Sequence, residues 1–384
     1  MMKLIKSANI ILPNNLVEGS LLFSDQIEDI LLPGEFRENS KFEMGLEVID
    51  GTGMYLAPGF IDIHIHGAGG FDTMDASPEA LNRISELLVN SGVTSFLPTT
   101  MTMPSASISK ALTNIRQVIE QGTSGARILG THVEGPFISP AYKGAQAEQD
   151  IVGVDQSLLE DFIDIIKIVT IAPEQTAALE YISYLSTRGV VTAVGHSGAT
   201  YQQVLTAIDC GLSHVTHLFN AMTGLHHRRP GIVGAALTTG LSCELIADFI
   251  HVHPAVINLV LKAKDPTEII LVTDQMEAGS LGDGEYTLGG QQVLVKDGAA
   301  RLENGQLAGS VLTLDQAIRN IKEISALTLP EIIQMVTVNP ARLIGREDQL
   351  GKIVPGYQAD LVLLTEDLQV DTVIIGGEVV KERI

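Results

Sequence analysis

The sequence predicts an α/β protein, a closed parallel TIM (β/α)8 barrel with a small β-sandwich domain formed from both chain termini. Three observations predict it. Eight short aliphatic runs recur through the middle of the chain, with helical patterns between most of them. Ionisable residues collect just past the ends of those runs, where a barrel gathers its active site. Both ends of the chain are strand-like and differ from the middle.

The N-terminal stretch reads as strand pieces, LIKSANIIL, SLLFS and FEMGLEVIDG, punctuated by Pro13-Asn14-Asn15 and Pro33-Gly34. The C-terminal stretch repeats the pattern in Ala359–Leu364 and Val370–Gly377. Residues 1–56 plus 350–384 are therefore expected to form the small domain, and 57–349 the barrel. The eight expected barrel strands are Phe60–Ile65, Thr94–Leu97, Ile128–Val133, Ile165–Ile171, Val190–Val194, His214–Leu218, Cys243–Ala247 and Ile269–Val272. Between them, Ser77-Pro78-Glu79 reads as a capped helix start ahead of Leu81, Ile84, Leu87 and Leu88. Helical spacing recurs at Ile108, Leu112, Ile115, Val118 and Ile119, at Val204, Ala207 and Ile208, and over Thr176–Arg188. An open doubly wound sheet is the alternative arrangement.

Composition narrows the function. A formal net charge of −22 disfavours nucleic acid and anionic lipid as partners. The longest apolar runs are too short and too interrupted to span a membrane, and the N-terminus reads as an opening strand rather than a signal peptide. Cys210 and Cys243 lack metal-type spacing, and Cys243 reads as a buried free thiol. Nothing points to an oxidising compartment, so a cytoplasmic location is expected. An anionic substrate would need a local basic patch, for which His226-His227-Arg228-Arg229 is the obvious candidate.

The ionisable residues carry the chemistry. His64 and His66 are two apart at the end of strand one, so both point to one face. Glu134 ends strand three, His196 strand five, His217 strand six, Asp248 strand seven and Asp274 strand eight. Packing alone would scatter such groups along the strands. One glutamate and two histidines, Glu134, His196 and His217, make a three-ligand set for a catalytic divalent metal, zinc or iron, with a position left for water. Asp274 follows four aliphatic residues and suits the base that takes a proton from that water. Arg228 and Arg229 read either as a solvated pair or as a phosphate clamp. His132 and His214 read as structural, and His251 and His253, which flank Val252 just past strand seven, as surface residues. Gly67–Gly70 lacks the lysine and helix of a nucleotide-binding loop.

Taken together, Ala57-Pro58-Gly59-Phe60-Ile61-Asp62, Asp72-Thr73-Met74-Asp75, His132-Val133-Glu134-Gly135-Pro136-Phe137, Gly195-His196-Ser197, Thr216–Met222, Leu307–Ser310 and Gly356–Val362 resemble the N-acetylglucosamine-6-phosphate deacetylase family of the amidohydrolase superfamily. The resemblance implies Glu134, His196 and His217 as metal ligands and Asp274 as proton acceptor and donor. It also implies Ala145, Gln146, Asn220, Ala221, His251 and Leu307-Ala308-Gly309 around a sugar phosphate. Arg228 would bind the 6-phosphate from the neighbouring subunit of a homodimer. Three features depart from other members. His64 and His66 are intact, so a second metal bridged through Glu134 is expected, giving one or two per chain. Gln146 stands where some members carry histidine. Phe249 stands where a glycine is usual. Two alternatives remain: another amidohydrolase, such as a dihydroorotase or deaminase, and a catalytically dead scaffold. Asn220-Ala221-Met222 and the complete ligand set weigh against them respectively.

Overall fold

The computed structural model describes residues 1–33 and 46–382. Among them, eight parallel strands follow one another around a barrel: Phe60–Ile65, Val93–Thr100, Thr131–Glu134, Ile166–Ile171, Val191–Val194, His214–Val215, Ser242–Leu245 and Ile269–Leu271. The seam between the eighth and the first is closed beyond the strand end. There the His66 N–H donates to the Gln275 carbonyl at 2.8 Å and the Asp274 N–H to the His64 carbonyl at 2.9 Å. Closure removes the two free edges that an open sheet would leave. The barrel strands are buried on both faces, which is why they read as aliphatic runs rather than alternating ones.

Helices cover the outside. Ser77 caps the helix Pro78–Leu88, its hydroxyl accepting from the Ala80 N–H at 3.1 Å. That helix buries Leu81, Ile84 and Leu88 toward the strands. The helices Ser105–Gln121, Ala178–Ser186 and Tyr201–Asp209 answer to the expected helical patterns. Leu314–Ile324, which the sequence reading passed over, buries Leu314, Ala317, Ile318 and Ile321 in the same manner.

The terminal strands form one continuous eight-stranded sheet with its own core, made of Ile5, Ile10, Leu21, Phe23, Leu56, Leu361, Leu363, Ile374 and their neighbours. Strand Lys3–Ile11 turns back through Pro13–Asn15 into Leu16–Phe23, and on its other side runs parallel to both Glu47–Asp50 and Tyr55–Pro58. Tyr55–Pro58 pairs with Leu361–Leu364, which joins the two ends of the chain directly. Of the strand expected from Phe42, residues 42–45 lie outside the described residues, as does Gly34 of the expected Pro33-Gly34 turn.

One element was not anticipated. After the eighth barrel strand, Gly284–Leu288, Gln291–Lys296 and Ala299–Leu302 make a three-stranded antiparallel sheet. Val293, Val295 and Ala300 face a small core with Met101, Met276, Leu288 and Ala308. Its two turns are Gly289-Gly290 and Asp297-Gly298, all four residues at positive φ, the pairs that two-residue hairpin turns demand. Those dipeptides were the available signal.

Candidate metal centre and substrate pocket

Each of the expected ionisable groups lies where the chain leaves a barrel strand. His196, His217 and Asp274 take up left-handed backbone there, with φ of 47°, 28° and 48°. Such conformations cost about 1–3 kcal/mol each in a non-glycine residue, and persist only where surrounding bonds impose them. At Asp274 those bonds are visible. Its N–H donates to the His64 carbonyl, and its own carbonyl accepts from the Ser310 N–H at 2.7 Å. Gly144 has φ of 58°, and a Cβ there would lie 3.0 Å from His196 Cε1, so the loop backbone approaches the imidazole as only glycine permits.

The histidine rings converge through one nitrogen each. His66 Nδ1 is 3.2 Å from the Thr99 carbonyl, His196 Nδ1 3.0 Å from the Tyr142 carbonyl, and His64 Nδ1 2.8 Å from Glu244 Oε2. All three partners only accept, so each Nδ1 carries the proton and each Nε2 is left with a lone pair. Those three nitrogens meet at Glu134, together with His217 Nε2. Its Oε1 lies 3.0 Å from His217 Nε2, 3.2 Å from His196 Nε2 and 3.5 Å from His64 Nε2, while its Oε2 lies 3.4 Å from His66 Nε2. Asp274 Oδ1 is 3.2 Å from His66 Nε2 and 3.6 Å from His64 Nε2. Among the described residues two groups face Glu134, Glu134 itself with His196 and His217, and His64 with His66 and Asp274; a third, His64 with His132 and Glu244, lies on the far side of the His64 ring. Buried lone pairs and carboxylates aimed at common points repel one another unless a cation stands between them. The donor set therefore fits a divalent metal ion.

The carboxylates also favour a proton on the same ring nitrogens, one that a metal ion would displace. Burial opposes charge on His64, yet the Glu244, Glu134 and Asp274 carboxylates push its pKa up to about 9. Burial likewise opposes ionisation of Glu134, but His64 and His196 hold its carboxyl well below the ordinary value. Asp274 is also held low against burial, chiefly by His64 and His66. His132 is different. Burial drops its pKa to about 3, and it bridges the Ile63 carbonyl and the Thr170 hydroxyl away from the converging nitrogens.

A cavity of about 370 Å³ opens above the cluster. It brings together His66, Glu134, His196, His217 and Asp274 with Ala145, Gln146, Asn220, Ala221, His251, Leu307 and Gly309. His64 lies beneath, fully buried. Ala308 turns its side chain the other way, into the core of the inserted sheet. Arg228 is exposed, stands outside this cavity and lies beside His227 Nε2 at 2.7 Å. Asp248 accepts from His251 Nδ1 at 2.6 Å and so aims that ring. His253 caps the helix Pro254–Ala263. Gln146 is already engaged: its amide donates to Glu134 Oε2 at 2.6 Å, and its oxygen accepts from the Thr102 N–H at 2.7 Å. Phe249 has φ of 67°, the backbone a glycine adopts without strain.

Sequence reasoning missed three residues here. Arg301 of the inserted sheet is the one arginine or lysine among the described residues that line the cavity. Asp62, whose pKa burial pushes up to about 7, holds the Thr273 hydroxyl at 2.6 Å beside Asp274. Glu244 sits in the seventh strand and bonds His64. A charged residue inside the apolar run Cys243–Ala247 was the signal for it.

Residues 55–380 match the amidohydrolase family. An N-acetylglucosamine-6-phosphate deacetylase of Lysinibacillus sphaericus is 40% identical over 340 residues, 87% of this chain and 88% of its own. An N-acetylgalactosamine-6-phosphate deacetylase of Escherichia coli O157:H7 is 41% identical over 329 residues, 84% of this chain and 87% of its own. The crystal structure of N-acetylglucosamine-6-phosphate deacetylase from Pasteurella multocida superposes with a TM-score of 0.93 at 32% identity, covering both chains completely. The chain belongs to the amidohydrolase family, in the branch that holds the N-acetylglucosamine-6-phosphate deacetylases. It is an enzyme of the metal-dependent hydrolytic class.

Proposed function

We propose that this enzyme hydrolyses the N-acetyl group of N-acetyl-D-glucosamine 6-phosphate, giving D-glucosamine 6-phosphate and acetate. The observation that carries the reading is the Asp274 carboxylate, held below its ordinary pKa beside the converging Nε2 atoms and facing a cavity large enough for a sugar phosphate.

Glu134, His196 and His217 would hold one ion, and His64, His66 and Asp274 a second, with Glu134 shared. Zinc or iron suits nitrogen and carboxylate donors. A bound divalent ion supplies Lewis acidity and lowers the pKa of water at the site. The remaining work belongs to the chain. Asp274 takes a proton from the water whose oxygen attacks the acetyl carbon. As the C–N bond breaks, Asp274 returns that proton to the departing amine. Leu288 and Arg301 of the inserted sheet, with Leu307 and Gly309, border the cavity. Gln146, whose amide already donates to Glu134, would release that bond to reach the acetyl oxygen.

The 6-phosphate is remote from the reacting bond, so holding it orients the acetamide. His251, Asn220 and Ala221 line the cavity. Arg228, exposed and outside the cavity of its own chain, would serve a neighbouring subunit if the chain pairs as a homodimer. In a cell the activity fits cytoplasmic amino-sugar catabolism and cell-wall sugar recycling, since sugar phosphates are made and retained inside.

The 41% identity to an N-acetylgalactosamine-6-phosphate deacetylase favours a second reading, in which the epimer at carbon 4 is the substrate. Acetate release from N-acetylglucosamine 6-phosphate, N-acetylgalactosamine 6-phosphate and unphosphorylated N-acetylglucosamine decides. The first should be turned over fastest and the last scarcely. Faster turnover of the galacto epimer would reverse the assignment, and indifference to phosphate would remove it.

A further inference from the structure

We propose that Glu244 is a positioning residue that locks the two halves of the metal centre to each other. The proposal rests on the metal-centre reading above. Glu244 is fully buried inside the barrel, on the seventh strand. Its Oε2 accepts two bonds at once, from His64 Nδ1 at 2.8 Å and from the backbone N–H of His217 at 2.9 Å. One bond fixes the tautomer and ring plane of His64, a member of the second ligand group. The other holds the turned backbone of His217, φ 28°, a member of the first. His217 needs such a hold, because its Nδ1 has no hydrogen-bond partner among the described residues to orient the ring from behind. His214 Nε2 steadies the other carboxylate oxygen at 3.3 Å, and its Nδ1 lies 2.7 Å from Ser242 Oγ at the opposite end of the barrel.

A fully buried carboxylate is costly unless its partners fill both oxygens. Here they do so in the geometry that presents His64 Nε2 and His217 Nε2 toward Glu134. Partners behind a ligating histidine commonly change metal affinity by about 10–100-fold. Glu244 acts on two such histidines belonging to different ions, so its loss should weaken both sites together and the His64 site more.

The test is metal affinity and stoichiometry of the purified full chain, titrated with zinc after chelation, for wild type, Glu244→Gln and Glu244→Leu. Glutamine keeps the shape and a carbonyl that can accept both bonds. It should retain the wild-type zinc ratio with affinity lowered about 10-fold. Leucine removes both acceptors and should lose the more weakly held ion. The rise in Tm on adding zinc separates this role from a merely structural one. It should shrink in both variants, whatever happens to the Tm of the zinc-free protein. If the leucine variant does not fold, the glutamine variant decides. Wild-type zinc affinity and Tm rise in Glu244→Gln, or in a folded Glu244→Leu, would overturn the role of Glu244 alone. A wild type that binds no zinc or other divalent ion would remove the metal centre itself, and this proposal with it.

Discussion

Asp274 carries three demands at one position: a backbone pinned between His64 and Ser310, a carboxylate kept ionised although buried, and access to the cavity. Asparagine meets the first and third and fails the second. Asp274→Asn should therefore lower turnover by roughly 100-fold or more, the range for losing a positioned general base, with substrate affinity changed much less. Metal content has to be measured on the same sample, because Asp274 also faces His64 and His66. A fully metallated variant with near wild-type turnover would leave the mechanism without its base. At this scale the sequence was highly legible. Histidines, a glutamate and an aspartate at strand ends are poorly explained by packing, and the fold brings Glu134, His196, His217, His64, His66 and Asp274 to one point. Glu244 was missed because one carboxylate in an aliphatic run reads as an interruption of the strand. Its purpose is apparent only once His64, His214 and the His217 backbone surround it.

Among the elements, most barrel-strand ends were read within a residue or two; the second strand runs to Thr100, three residues past the expected Leu97, and two others differ more instructively. The expected strand Ile128–Val133 is broken at Leu129-Gly130, where Gly130 has φ of 145°. The expected His214–Leu218 stops at Val215, because the chain turns at His217 to aim the ring. In both cases aliphatic character continues past the point where local backbone geometry changes, and composition cannot register that. The inserted sheet escaped because its core is small and its strands alternate with polar residues. That small core supports a prediction. Val293→Ala should cost about 1–3 kcal/mol locally by opening space against Met101 and Met276. Amide exchange should then quicken across 284–302 and leave the barrel strands unchanged. Uniform quickening over the whole chain would mean that the sheet and barrel open as one unit.

On the scale of the whole molecule, two sheets made from distant parts of the chain share a junction at residues 55–60, where the terminal sheet passes into the first barrel strand. No helix of the described residues is long and apolar enough to cross a membrane. A surface of net charge −22 must still admit a dianion to a cavity that already holds Glu134 and Asp274. Among the described residues Arg301 is the one guanidinium at that cavity, so a second from a partner subunit would serve the field as well as the contact. Mixing an Arg228→Ala chain with an Asp274→Asn chain should then restore activity in hybrid dimers that neither parent has. Absence of recovery, with subunit exchange demonstrated, would place phosphate binding within one chain. The central claim is metal-dependent hydrolysis at the mouth of the barrel, and its most direct test is a metal titration read as acetate release. Protein stripped by chelation should release no acetate from N-acetylglucosamine 6-phosphate and should regain activity in step with the first one or two equivalents of zinc or iron per chain. Full turnover by the stripped protein, with metal absent by elemental analysis, would contradict the account.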